Sequence, residues 1–183
     1  MFKSMGIVEL NSVARGIMTA DDMVKEANVE LVLARPVCPG RYLIMVAGDT
    51  AAVKRSVEKG LRIADEFIAD HFVLTHIHPD VFPAISSSVL VPEIRAIGVI
   101  ETYSSASAVM AADKAVKAAN VDLIDIRLAT GLAGKAVVTL TGRIGSVQAA
   151  VEAGSQCLAE SGLLLGNAVL SSPSEEIKKQ ILM

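Results

Sequence analysis

Cys38 stands in the stretch R-P-V-C-P-G-R, residues 35–41, with Pro36 and Pro39 on either side and Gly40 following. Soft thiolates favour iron–sulfur clusters, zinc or Cu(I), but a single thiol cannot build a four-ligand metal site or close a disulfide with itself. The plain alternative is a small buried hydrophobe, the usual state of a free cysteine. Proline on both sides of the thiol argues against ordinary core packing. Cys157 differs, because VEAGSQCLAE is a helical pattern that places it on an apolar face, which reads as packing. His76 and His78 in THIHPD would share one face of a strand, as alternate residues do. No third ligand is near them in sequence, so they read as structural or solvent-facing, and His71 likewise. Glu9 and Glu101 invite a reading as paired catalytic carboxylates. No Ser-His-Asp order, glycine-rich phosphate loop or metalloprotease motif accompanies them. An enzyme is therefore not expected.

The elements that position these residues come in duplicate. Residues 6–35 align without gaps to residues 98–127, with about half the positions identical, a level chance does not produce over such a span. Glu9 falls on Glu101, Asp21 on Asp113, Lys25 on Lys117 and Asn28 on Asn120. The carboxylates are thus repeat equivalents, better suited to pairing in a sheet or interface than to catalysis. After the arginines the register slips by two; GDTAAVKRSVEKG then matches GRIGSVQAAVEAG, and Pro79 falls on Pro173. In that register Leu170 and Ser172 replace His76 and His78. The slip lies in the cysteine loop: RPVCPGR becomes RLATGLAGK, residues 127–135, without cysteine. A loop that diverges on a shared framework marks a candidate site. Pro79, Pro83, Pro92 and the serines 86–88 punctuate the connection, so the expected domains are 1–90 and 91–183.

Within a copy, MGIVEL and IGVIET read as strands. Ala20, Met23, Val24 and Ala27 recur at helical spacing. Val29, Leu31 and Leu33 alternate as in a half-buried strand, and YLIMVAG (KAVVTLTG in the second copy) supplies its partner. Gly48-Asp49-Thr50 begins a helix running to about Phe67, and HFVLTHI and LLLGNAVL close the two copies as strands. Ser172-Pro173-Ser174-Glu175 starts a short C-terminal helix. The order β-α-β-β-α-β predicts an α+β fold, with two tandem ferredoxin-like domains, each an antiparallel sheet with flanking helices.

Composition limits the partners. With 17 basic and 20 acidic residues there is no basic excess for nucleic acid. No apolar run approaches the ~20 residues needed to cross a bilayer, and the N-terminus lacks a secretory pattern. Two cysteines fit a reducing cytoplasm. Hydrophobic residues make up 52% of the chain, mostly small and aliphatic, and a surplus of that kind is often hidden between subunits.

The motifs G-[IV]-[VI]-E, A-D-x-[MA]-V-K-x-A-N-V-[ED]-L and G-[DR]-x-[AG]-x-V-x-x-[AS]-V-E-x-G occur in both copies. In them the chain resembles the bacterial microcompartment shell domain along nearly its whole length. Its cysteine loop is most similar to that of the propanediol-utilisation members. The resemblance implies a structural protein of the microcompartment shell, in the cytoplasm. It further implies a homotrimer shaped as a pseudo-hexamer, tiled with other shell proteins and neighbouring encapsulated redox enzymes.

The resemblance also implies that the divergent loops line the pore on the symmetry axis: Pro36, Val37, Pro39 and Gly40 from one copy, and Thr130, Gly131, Leu132, Ala133 and Gly134 from the other. Three copies of Cys38 would then meet, and members of this type are associated with a [4Fe–4S] cluster. Three irons would each take one thiolate, leaving the fourth on the axis. Electron transfer across the shell, or cluster supply to enclosed enzymes, is the implied task. The alternatives are a metabolite pore without a cluster and a non-shell ferredoxin-like binding protein. Lys25 and Lys117 would ordinarily be solvated helix charges; the resemblance implies shell-edge contacts for them. Asp80 and Ser174 stand where related domains often carry arginine after the strand-ending proline, so edge packing is expected to differ.

Overall fold

The computed structural model describes residues 3–91 and 93–181; Pro92 and the first two residues of the N-terminal stretch lie outside the described residues. The chain divides into two compact units that interleave in sequence. One holds the chain through Ile77 with Ser104–Ser107 and Ala129–Lys135; the other holds His78–Tyr103, Ala108–Leu128 and the chain from Ala136.

The first unit contains β1 (Ser4–Leu10), α1 (Val13–Glu26), β2 (Glu30–Val37), β3 (Arg41–Gly48), α2 (Thr50–Ala64), a 3₁₀ turn (Asp65–Phe67) and β4 (Ile68–Thr75). Its sheet runs β2-β3-β1-β4, antiparallel throughout, which is the expected ferredoxin-like order. β1 occupies an inner position and is buried along its whole length, so its residues are mostly apolar with little alternation, and its polar members Ser4 and Glu9 are buried with them. Val8 and Leu10 join Met23, Val53 and Val57 in the core between sheet and helices. Gly6 lets α2 approach: a Cβ there would lie 2.4 Å from Val57 Cγ2. Gly98 meets the same demand in the second unit, 2.6 Å from Val151 Cγ2, which explains the glycine opening both copies of the repeat.

Several local expectations shift. The buried face of α1 is Gly16, Thr19, Ala20 and Met23. Val24 lies exposed, one position round from Met23, and Ala27 is already the C-cap. Alternation along β2 is interrupted by a bulge between Leu31 and Leu33, and Leu31 is exposed. Asp49 is the N-cap residue of α2 but makes no side-chain capping bond. β4 ends at Thr75 because His76 turns to φ +52°, a left-handed conformation that no strand continues.

The second unit contains α3 (Val81–Ile85), β5 (Ala96–Thr102), α4 (Ser105–Ala118, its first turn counted with the first unit), β6 (Val121–Arg127), β7 (Ala136–Gly142), α5 (Ile144–Gln156), β8 (Leu164–Leu170) and α6 (Glu175–Ile181). Its sheet runs β6-β7-β5-β8, again antiparallel. Val81 and Ala84 of α3 are buried where that helix packs on β6. α6 begins where the capping pattern places it, with Ile177 N–H donating to Ser174 Oγ at 3.4 Å. Among the described residues no helix is long and apolar enough to cross a membrane.

The strand registers correct one equivalence. Met5 pairs with Leu74 and its counterpart Ile97 with Leu170, so Leu170 corresponds to Leu74 rather than to His76. The second copy has two more residues in the turn before β8 and two fewer before Pro173, so the net register at the prolines hides both differences.

Candidate functional site

Cys38 lies at the start of a tight three-residue turn between β2 and β3. The expected loop of residues 35–41 is shorter than anticipated: Pro36 and Val37 end β2, Val37 is buried, and Arg41 begins β3. The Cys38–Pro39 peptide bond is cis, and Gly40 takes φ +79°, where a side chain would be strained. The thiol is half-buried and forms no disulfide.

A continuous set of hydrogen bonds holds both ends of this turn. Cys38 N–H donates to the Ala129 carbonyl at 2.7 Å, and Ala129 N–H donates to Ser105 Oγ at 3.2 Å. Ser105 N–H donates to Glu9 Oε2 at 2.8 Å, and the Arg41 guanidinium donates to Glu9 Oε1 at 2.9 Å. Arg41 directly follows the turn, so the path returns to its start. Glu9 is fully buried and also accepts from Ala106 N–H at 3.4 Å. Its carboxylate therefore sits on the N-terminus of α4, where unsatisfied N–H groups and the helix dipole favour negative charge. Burial nevertheless raises its pKa; Arg41 and the two backbone donors oppose that shift.

Beside it, Asp70 accepts from the Ser104 hydroxyl and from Ser107 Oγ at 2.8 Å, while Ser104 Oγ accepts from Ser107 N–H at 2.9 Å as the α4 cap. The second divergent loop touches the turn through Gly134: a Cβ there would come within 2.7 Å of Pro39 Cδ. Gly131, Ala133 and Gly134 all take positive φ. Thr130, Gly131 and Ala133 are exposed, and Leu132 is half-buried, its carbonyl accepting from Lys135 N–H at 3.0 Å.

The remaining candidates lie apart from this turn. Lys25 is exposed and pairs with Asp21 at 2.5 Å, which raises its pKa. Lys117 pairs with the buried Asp113 at 2.6 Å. His76 and His78 do not share a strand face, because both follow the end of β4; His78 N–H donates to Asp113 Oδ1 at 2.8 Å, and its ring lies 3.6 Å from Asp80. His71 is an exposed residue of β4. Cys157 is the C-cap of α5, with Sγ donating to the Gly154 carbonyl at 3.1 Å, and burial pushes its thiol pKa up. It is half-buried rather than part of a fully apolar face.

Sequence reasoning missed Arg41, Asp70 and the Ser104-Ser105-Ser107 cluster. The serines carried a readable signal, since serine before an apolar helix is a cap. What they bind was not readable. Among the described residues, no group of three His, Cys, Asp or Glu could hold a metal ion. Cys38 thus presents one soft ligand per chain, a donor set that fits one corner of a cluster and cannot hold one alone.

The two copies match a known family. The BMC domain matches residues 4–79 and again 96–173. Over 182 residues the chain is 38% identical to the bacterial microcompartment shell protein PduT of Citrobacter freundii, covering 100% of this chain and 99% of that one. A crystal structure of a microcompartment protein from Desulfitobacterium hafniense superposes with a TM-score of 0.88 at 45% identity, covering 98% and 99% of the two chains. The fused permuted hexameric shell protein MSM0275 of the RMM microcompartment shares the fold, with a TM-score of 0.64 at 22% identity over 86% of this chain and 82% of that one. With both copies matched and the similarity spanning the whole chain, this protein belongs to the BMC domain family, as a structural shell protein of a bacterial microcompartment and not an enzyme.

Proposed function

We propose that three copies of the chain surround a threefold axis in the shell facet and bind a [4Fe–4S] cluster there through Cys38. The observation that supports this reading is a half-buried thiol on a turn whose backbone is bonded to Ala129 at Cys38 and whose following residue, Arg41, is paired with Glu9. Such anchoring suits a ligand, which must be presented at a set distance and angle. Three thiolates at one point repel one another and carry a desolvation penalty unless a cationic centre lies among them. Three protein ligands leave one iron of a cubane open to solvent or a non-cysteine ligand. When bound, the cluster would supply one-electron chemistry, for electron transfer across the shell or for delivery of clusters to enclosed redox enzymes. Lys25, exposed on α1, serves the edge where oligomers tile with one another and with other shell proteins.

The test is anaerobic reconstitution of the wild-type chain and of Cys38→Ser. Broad absorbance near ~400 nm in the wild type, lost in an equally assembled Cys38→Ser variant, is expected. Iron retained by the variant would move the site elsewhere. A second reading is an open metabolite pore without a cluster, lined by the exposed Thr130, Gly131 and Ala133 of the other divergent loop. A wild-type chain that stays colourless after reconstitution would support it.

A further inference from the structure

The outermost cross-strand pair of the inner strands carries different charge in the two copies. The β1–β3 ladder ends with Ser4 opposite Gly48, and one step outward Lys3 pairs with Asp49 at 3.6 Å. The β5–β7 ladder ends with Ala96 opposite Gly142, so the same step outward sets Arg95 opposite Arg143. An ion pair in the first copy is a pair of like charges in the second. Like charges directly opposite on a sheet are destabilising, and compensation within the chain is partial. Nε and Nη2 of Arg95 both lie 2.8 Å from a single oxygen of Glu93. The Arg143 guanidinium is exposed and has no hydrogen bond or ion pair among the described residues.

The two arginines line a recess of about 230 Å³ together with Lys178, Ser171 and Ser172, and among the described residues no carboxylate lines it. Its floor is fixed by the buried Thr141, whose Oγ1 accepts from Arg95 N–H at 3.0 Å and donates to the Ala96 carbonyl at 2.8 Å. Arg95 and Arg143 also line a wider cleft of about 600 Å³, which reaches Asn120, Asp122 and Ser146. The field of α5 adds to that of the cations. Its N-cap residue is Arg143, which makes no side-chain capping bond, and its first turn holds no acidic residue. The matching position of α2 is occupied by Asp49. The second copy therefore keeps the positive end of the helix dipole and has exchanged the carboxylate there for a cation.

We infer that this recess binds a phosphate group, whose negative charge takes the place that Asp49 holds in the first copy. Two guanidinium forks match phosphate oxygens bidentately, and the Lys178 ammonium and the serine hydroxyls are the remaining donors of the recess. Asp122 disfavours a second anionic group in the wider cleft, while its carboxylate and the Asn120 amide can bond hydroxyls. That division suits a small hydroxylated phosphate monoester, with the phosphate in the recess and the remainder in the cleft. All the residues involved belong to the second unit, so the site stands independently of the cluster proposed at Cys38.

The test is equilibrium dialysis of the full chain against radiolabelled inorganic phosphate and radiolabelled glycerol 3-phosphate, in chloride at constant ionic strength. Saturable binding at a single site per chain is expected for the wild type. Arg143→Asp, which restores the charge pattern of the first copy, is expected to weaken binding by more than about tenfold, and Arg95→Gln by several-fold. Arg55→Asp makes the same charge change at an exposed position of α2 and is expected to bind as the wild type does. Far-UV circular dichroism and sedimentation check that the variants fold and assemble alike. Tighter retention of glycerol 3-phosphate than of inorganic phosphate would support the site and mark a monoester as its ligand; equal retention would support it with the phosphate group alone being read. No saturable binding of either ligand, or equal losses in Arg143→Asp and Arg55→Asp, would overturn it.

Discussion

Glu9 and Glu101 occupy one position in two copies of one domain and have opposite surroundings. Glu9 is sealed against Arg41 and the first turn of α4; Glu101 is half open, and Lys135 stands at the repeat equivalent of Arg41. The surroundings differ in a second way. Asp70, which holds two serine hydroxyls beside Glu9, corresponds through the strand registers to Gly166. The first copy therefore places two carboxylates around this position, and the second copy only Glu101. Duplication kept the scaffold, while the side chains around it diverged.

Truncation tests this contrast most strongly. Glu9→Ala removes the partner of a partly buried guanidinium and of two helix N–H groups, and is expected to cost about 2 kcal/mol in urea unfolding. Glu101→Ala is expected to change unfolding of the dissociated chain by less than about 0.5 kcal/mol. Equal losses at the two positions would erase the distinction between them.

The pH dependence sharpens the same comparison with a smaller effect. Burial raises the Glu9 pKa above its unfolded value, so the folded chain holds that proton more tightly. Its contribution is fully present below the unfolded carboxylate range and is lost as pH rises through the higher folded value. Glu9→Gln is therefore expected to remove a fall in stability over that window, seen as the difference between wild-type and variant melting curves. An unchanged difference across the acidic range would contradict the assignment. The smallest effect concerns the thiols. Burial raises the pKa of Cys157, so its alkylation at pH 8 is expected to lag behind that of an unstructured peptide thiol. Alkylation at the peptide rate would show that the α5 C-cap does not shield it.

Much of the framework was legible in the sequence because it rests on local pattern and repetition. Strand order and the capped C-terminal helix follow from spacing and turn chemistry. What escaped depended on contacts distant in sequence. The end of β4 turns on a left-handed His76, and the bulge at Leu31–Leu33 breaks an alternation that composition alone would continue. The buried face of α1 centres one position away from the apolar residues that first suggested it, since Gly16 and Thr19 are buried there and Val24 is not. In the site, the cysteine and its diverging loop were readable from the repeat. The path from Cys38 through Ala129, Ser105 and Glu9 to Arg41 joins residues from four segments, and no spacing rule connects them.

The central claim is that one thiol per chain becomes a complete site when three chains meet. Iron analysis combined with native mass spectrometry of the reconstituted assembly tests it most directly. The expected result is a trimer holding about four irons for every three chains, with no iron on single chains. Iron bound to single chains, or a trimer that remains free of iron after reconstitution, would contradict it.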